Sequence, residues 1–196
     1  MANAFREVVV IAVMPLLLGL TERVTEIDLR ETDDSTYAIA FFARHETTGS
    51  LRGSAFMMIG EGTDAAGFKS RDAYGLHLVP GRMRLGRVSV EEIEAVRAFE
   101  PTGAAPPPEF FFVRIDASDH AEILRLIEEW SAKETYDYPI ETEFAHFSEK
   151  VFKASVLYPP YRAAFRPFNP IEYYVDLRRL NENAGRPPQR EGPAPE

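Results

Sequence analysis

The sequence predicts an α+β domain in which an antiparallel sheet of about five to six strands carries three main helices packed on it. Two patterns lead there. Between Val24 and Val88, apolar or alternating runs are separated by Gly, Asp and Pro, the punctuation of strands joined by short turns. From Phe110 onward the period changes: one more strand is followed by three stretches with apolar residues every three or four positions, starting near Asp119, Thr142 and Asn169.

Composition bounds the rest. With 196 residues, 45% hydrophobic and 27% charged, the chain has the apolar content for one core, assigned to residues 24–185. A net charge of -9 is the wrong sign for neutralising phosphate backbones, so no nucleic acid partner is expected. The absence of cysteine removes disulfides, thiolate metal sites and thiol nucleophiles.

At the start of the chain, Val8 to Leu20 is an unbroken apolar run with the length of a signal-peptide core, and shorter than the ~20 residues of a spanning helix. Residues 1–23 are therefore read as a signal or membrane anchor, placing the protein in exported or membrane fractions. The alternative is a buried element broken at Pro15. Strands are expected at Tyr37 to Ala43, Ala55 to Ile59, Tyr74 to Val79 and Met83 to Val88. Ser89 and Glu92 form a capping box for a short helix through Phe99, and Pro101 to Pro108 makes an extended connection.

Phe110 to Ile115 reads as a strand of aromatic and β-branched residues. Asp119, with Glu122 three residues on, is expected to cap a helix with Ile123, Leu124, Leu126, Ile127 and Trp130 on its apolar side. The next helix puts Phe144, Phe147, Val151 and Phe152 on one stripe, with Glu149 and Lys153 paired outside. Asn169 and Pro170 supply an N-cap and a first-turn proline for a last helix. Residues 186–196, rich in proline and charge, are expected to form a disordered tail.

Taken in order, several pieces carry a resemblance. They are Gly53-Ser54-Ala55-Phe56, the strand Tyr74-Gly75-Leu76, a helix ending in Trp130, the tyrosines Tyr136 and Tyr138, and a helix opened by Glu143-Phe144. The series resembles the permuted NlpC/P60-like branch of the papain-like cysteine hydrolases, where Asn-Cys opens the helix and a histidine stands early in the chain. In that family the histidine is the base that deprotonates the thiol, and the helix N-terminus stabilises the thiolate. Matched residue by residue, the histidine position falls on Ser54 and the cysteine position on Phe144. Neither can do the chemistry. The resemblance implies a degenerate fold with a vestigial cleft, Phe144 in the first helical turn facing the strand of Ser54, and a non-catalytic role in binding a peptide, a cell-wall fragment or a protein.

Other chemistry finds little footing. No histidine pair has metal-ligand spacing, so neither metal nor cofactor is expected. Gly49-Ser50-Leu51-Arg52-Gly53 has its serine one place too early for a nucleophile elbow, and Gly60-Glu61-Gly62 lacks the Lys-Ser/Thr of a phosphate loop. Aromatic and proline residues crowd between Tyr136 and Tyr174, a density that lines binding grooves or packs irregular loops. The binding candidates are His77, Tyr138, His146 and Tyr161. His146 diverges by about 200° from Phe144 on its helix and is expected to face solvent. The alternative function is a hydrolase or transferase in the same cleft, using His77 with a carboxylate or serine.

Overall fold

The computed structural model describes residues 11–12, 25–31, 35–45, 53–64, 67–79, 82–89, 109–132, 140–161 and 169–182. The chain runs β1 (Ile11–Ala12), β2 (Thr25–Asp28), β3 (Tyr37–His45), β4 (Gly53–Glu61), β5 (Lys69–Val79), β6 (Arg82–Val88), β7 (Glu109–Arg114), α1 (Ala117–Ser131), α2 (Ile140–Ala154) and α3 (Pro170–Asn181). The α+β class holds, but the sheet is mixed. Among the described residues it has seven strands in the order β1-β5-β4-β3-β7-β2, with β6 also on β5, and β2 runs parallel to β7. Composition accounts for the positions of these two strands and not for their relative direction. Phe111 and Phe112 of β7 are both fully buried, one toward each face, so β7 takes an interior place beside β3. Thr25, Glu26 and Asp28 of β2 are not buried, which suits a strand at the margin.

Strand alternation sorts the core into two layers. One face carries Ile39 and Phe41 of β3, Ala55, Met57 and Ile59 of β4, Tyr74 and Leu76 of β5, and Phe111 and Val113 of β7, and all three helices contribute to it. Here α3 lies across β3, β4 and β7, α1 packs on α2 and β3, and α2 reaches β5 and β6. Phe41 stacks on Phe111 at 4.8 Å and meets Phe152 and Tyr174 edge-on at 5.5 and 5.4 Å. The other face carries Phe42, Phe56, Met58 and Phe112, equally buried, and no described residue of the three helices belongs to this cluster.

The helices follow their local signals with two corrections. Asn169 caps α3 as expected, its side chain accepting from the N–H groups of Ile171 and Glu172. The α2 stripe is buried throughout, and Lys153 pairs with Glu149 at 2.7 Å. Helix α1, however, starts at Ala117 behind Asp116 rather than at Asp119, which sits inside its first turn. Asp116 makes no side-chain cap, because its Oδ2 accepts from the Glu31 N–H at 2.8 Å. The second correction is Leu124, which is exposed rather than part of the apolar side.

Near this helix start a polar lattice fixes the ends of β2 and β7. Asp28 accepts from Arg30 and Arg114, both at 2.9 Å, and Ser35 donates to the Ile115 carbonyl at 2.7 Å. Hydrogen bonding from Arg30 holds the Asp28 carboxyl below the usual carboxylate range.

The end of α2 is unusual. The Leu157 N–H reaches the Phe152 carbonyl and the Val156 N–H reaches that of Lys153, the paired bonds of a Schellman motif. The position that favours glycine there holds Val156, at φ 61. A β-branched residue in the left-handed region costs on the order of 1–2 kcal/mol, and glycine gives back part of that through its freer unfolded chain. Val156→Gly should therefore raise stability by about 0.5–1 kcal/mol, read as a higher urea midpoint at unchanged slope; a lower midpoint would show that Val156 packing outweighs the strain.

Ile11 and Ala12, inside the stretch expected to be a signal or membrane anchor, pair antiparallel with Ser70 and Lys69 at the sheet margin. The rest of Val8 to Leu20 lies outside the described residues, as do Glu92 to Pro108, Tyr136, Tyr138 and the tail. Among the described residues no helix is long and apolar enough to cross a membrane.

Candidate functional site

The expected cleft requires Ser54 and Phe144 to face one another. They do not. Phe144 is the fifth residue of α2, in its second turn, and is fully buried in the helix-side core near Tyr174, ring centroids 6.5 Å apart. Ser54 lies on β4 two residues before Phe56, and Phe56 belongs to the opposite layer. Direct pairing of Ser54 with Arg44, next to the Ala43–Ala55 pair of the helix side, gives the same parity. A residue on one face of a strand shares that face with i+2, so the sheet itself separates the two positions.

The binding candidates also scatter. His146 is exposed, as its angular offset from Phe144 predicts, and it lines a shallow groove between α1 and α2. Tyr161 is 94% exposed and belongs to no part of the core. The backbone of His77 sits in β5 opposite Arg84 of β6, and its side chain lies outside the described residues. Tyr138 lies outside them too. Of the other histidines, His120 stacks on Tyr37 at 4.1 Å.

The groove holding His146 is built where the two helices meet. Trp130, in the last turn of α1, stacks on Phe147 of α2 with centroids 3.9 Å apart, and Leu126 completes an apolar floor. Glu129, Glu143, His146 and Lys150 form the rim. Glu129 is already engaged by Arg125 at 3.1 Å, in a ladder that continues to Glu122 at 2.7 Å. Hydrogen bonding from Arg125 lowers the Glu122 carboxyl. The groove offers about 50 Å³, against the ~300 Å³ or more of a site that encloses a small ligand. It can seat one side chain of a partner and little else. Among the described residues no three acidic or histidine side chains converge to hold a metal ion.

One polar feature lies deep in the core. Tyr174 of α3 and Ser148 of α2 are fully buried, and among the described residues neither hydroxyl has a hydrogen-bond partner of normal geometry. Burial pushes the Tyr174 phenol well above its ordinary range, with Tyr173 adding to the rise and the nearby Ser148 hydroxyl opposing it. A phenol raised in the folded state favours folding while it stays protonated. That contribution is complete below about pH 10 and is lost as pH rises further. Tyr174→Phe removes a hydroxyl that has no normal hydrogen bond among the described residues and should change stability at pH 7 by between zero and about +1 kcal/mol, while delaying alkaline unfolding. Thermal melts at pH 7 and pH 11 test it; a loss above about 1 kcal/mol at pH 7 would mean that the hydroxyl has a partner.

Compared with known proteins, the chain matches no family model, no curated protein and no solved structure.

Sequence reasoning missed the groove because helix pairing is not written in either helix alone. Trp130 and Phe147 each read as core, and only the α1–α2 contact brings Lys150 and Glu129 to one rim. The available signal was the end-of-helix position of Trp130, whose large ring needs a partner beyond its own helix.

Proposed function

We propose that this chain is a non-catalytic binding module that engages a peptide or protein partner through its outer surface. The observation supporting the reading is the placement of Phe144 and Ser54. The position at which a cysteine nucleophile would stand is filled by core, and its partner position lies across the sheet. With cysteine absent from the chain, thiol chemistry is closed as well. Within this reading the likeness to permuted NlpC/P60-like hydrolases is at most one of architecture. Binding moves from the expected cleft to exposed features, namely the α1–α2 groove and the aromatic segment after α2. The experiment is a turnover panel of fluorogenic esters, amides and phosphoesters together with peptidoglycan stem peptides. No turnover above buffer is expected at any pH from 5 to 9. Turnover that disappears in His77→Ala would overturn the reading in favour of an enzyme using a non-cysteine site.

A further inference from the structure

Four large apolar or aromatic side chains stand exposed among the described residues, and two of them, Tyr158 (42%) and Tyr161 (94%), belong to the segment Tyr158-Pro159-Pro160-Tyr161. Its conformation is constrained from both ends. A residue before proline is pushed out of the helical region, and proline fixes its own φ near -65°, so two consecutive prolines bias Tyr158 to Pro160 toward the polyproline II helix.

The fold then holds that segment in place. Asn181, 2% exposed at the end of α3, accepts from the Tyr158 N–H at 2.8 Å and donates to the Tyr158 carbonyl at 3.0 Å, so one side-chain amide pairs both backbone groups of the residue. A third bond, to the Leu177 carbonyl at 2.7 Å, fixes the amide itself. The left-handed turn at Val156 sets the direction in which the segment leaves α2.

With three residues per turn, positions i and i+3 share an edge of a polyproline helix. The burial pattern has that period: Pro160 is buried against the domain, while Tyr158 and Tyr161 face solvent. We propose that Tyr158 and Tyr161 form the recognition edge of a pre-ordered polyproline II segment that docks in the aromatic-lined groove of a polyproline-binding domain on a partner protein. The two rings would sit about 9 Å apart along one edge of such a helix, the edge left open to an aromatic-lined groove of the kind that reads this conformation. Pre-ordering by Asn181 lowers the entropy lost on binding, and exposed tyrosines are the side chains that dominate such contacts. The α1–α2 groove is a weaker candidate, since its carboxylate Glu129 is already paired and its volume admits one side chain.

The proposal rests on reading the chain as a binding module, and its test separates the two. Purified SH3, WW, EVH1 and GYF domains are immobilised and titrated with the full-length chain by interferometry. Binding by at least one class is expected, weakened about tenfold or more by Tyr161→Ala and by Tyr158→Ala and unchanged by Leu124→Ala, with circular dichroism spectra superimposable. Because Tyr161 is almost wholly exposed, its removal leaves the fold intact. No binding by any class, or binding indifferent to Tyr161→Ala, overturns the proposal. So does a Tyr161-dependent dimer in sedimentation, which would make a second copy of this chain the occupant. Catalytic turnover that persists in Tyr161→Ala would instead sink the binding-module reading while leaving the interferometry result to stand or fall alone.

Discussion

Gly75→Val should abolish folding or cost more than about 3 kcal/mol, although valine is among the best strand formers and by propensity alone would gain up to about 1 kcal/mol. The reason is local and steric. Gly75 pairs with Phe56 on one side and Gly86 on the other, so one row across the sheet reads Phe110, Phe42, Phe56, Gly75, Gly86. Phe42 and Phe56 stack at 5.1 Å within that row. A Cβ built at Gly75 would stand 2.6 Å from the Phe56 Cα and closer still to the Ala55 carbonyl oxygen. These are backbone atoms of a paired interior strand, which cannot step aside without breaking the β4–β5 ladder. Gly75→Ala meets the same atoms and should lose nearly as much. Urea unfolding of the soluble fraction measures it, and a Gly75→Val protein with a wild-type midpoint would show that the two strands are not held in this register.

The parts of the fold that sequence displays are those specified by neighbours along the chain. Asn169 with Pro170 gives the start of α3, and the Phe144, Phe147, Val151, Phe152 stripe gives the buried face of α2, because capping and helical period act within a few residues. What it hides depends on partners far away in sequence. The parallel pairing of β2 with β7 joins two strands at opposite ends of the sheet-forming region, and neither strand carries a mark of its neighbour's direction. The start of α1 is expected at Asp119 and found at Ala117, behind an Asp116 whose side chain accepts from the Glu31 N–H, a partner far away in sequence. Leu124 reads as core by spacing, yet the apolar side of α1 is narrower than the residue list suggests. The candidate site suffers most, since it rests on short motifs in order along the chain. Order along the chain leaves the face of the strand open, and a serine at position 54 shares its face with residue 56, not with residue 55.

That parity is open to direct measurement. Phe144 is fully buried in the helix-side core beside Tyr174, so Phe144→Ala should cost about 3–5 kcal/mol through lost transfer energy and the cavity left behind. Ser54→Ala should cost far less, its side chain being small. The informative quantity is the coupling between them. Residues that line one cleft interact by about 0.5–3 kcal/mol in a double-mutant cycle, whereas residues with no shared partner add within about 0.5 kcal/mol. With the sheet between them, Ser54 and Phe144 should be additive. If Phe144→Ala proves too unstable to measure, Phe144→Leu keeps most of the volume and the same cycle can be run. Chemical denaturation of the wild type, the two single variants and the double variant supplies the four free energies. A coupling above about 1 kcal/mol would put both residues in one cleft, restore the vestigial site that the NlpC/P60-like resemblance implies, and move the proposed binding surface from the exterior back into that cleft.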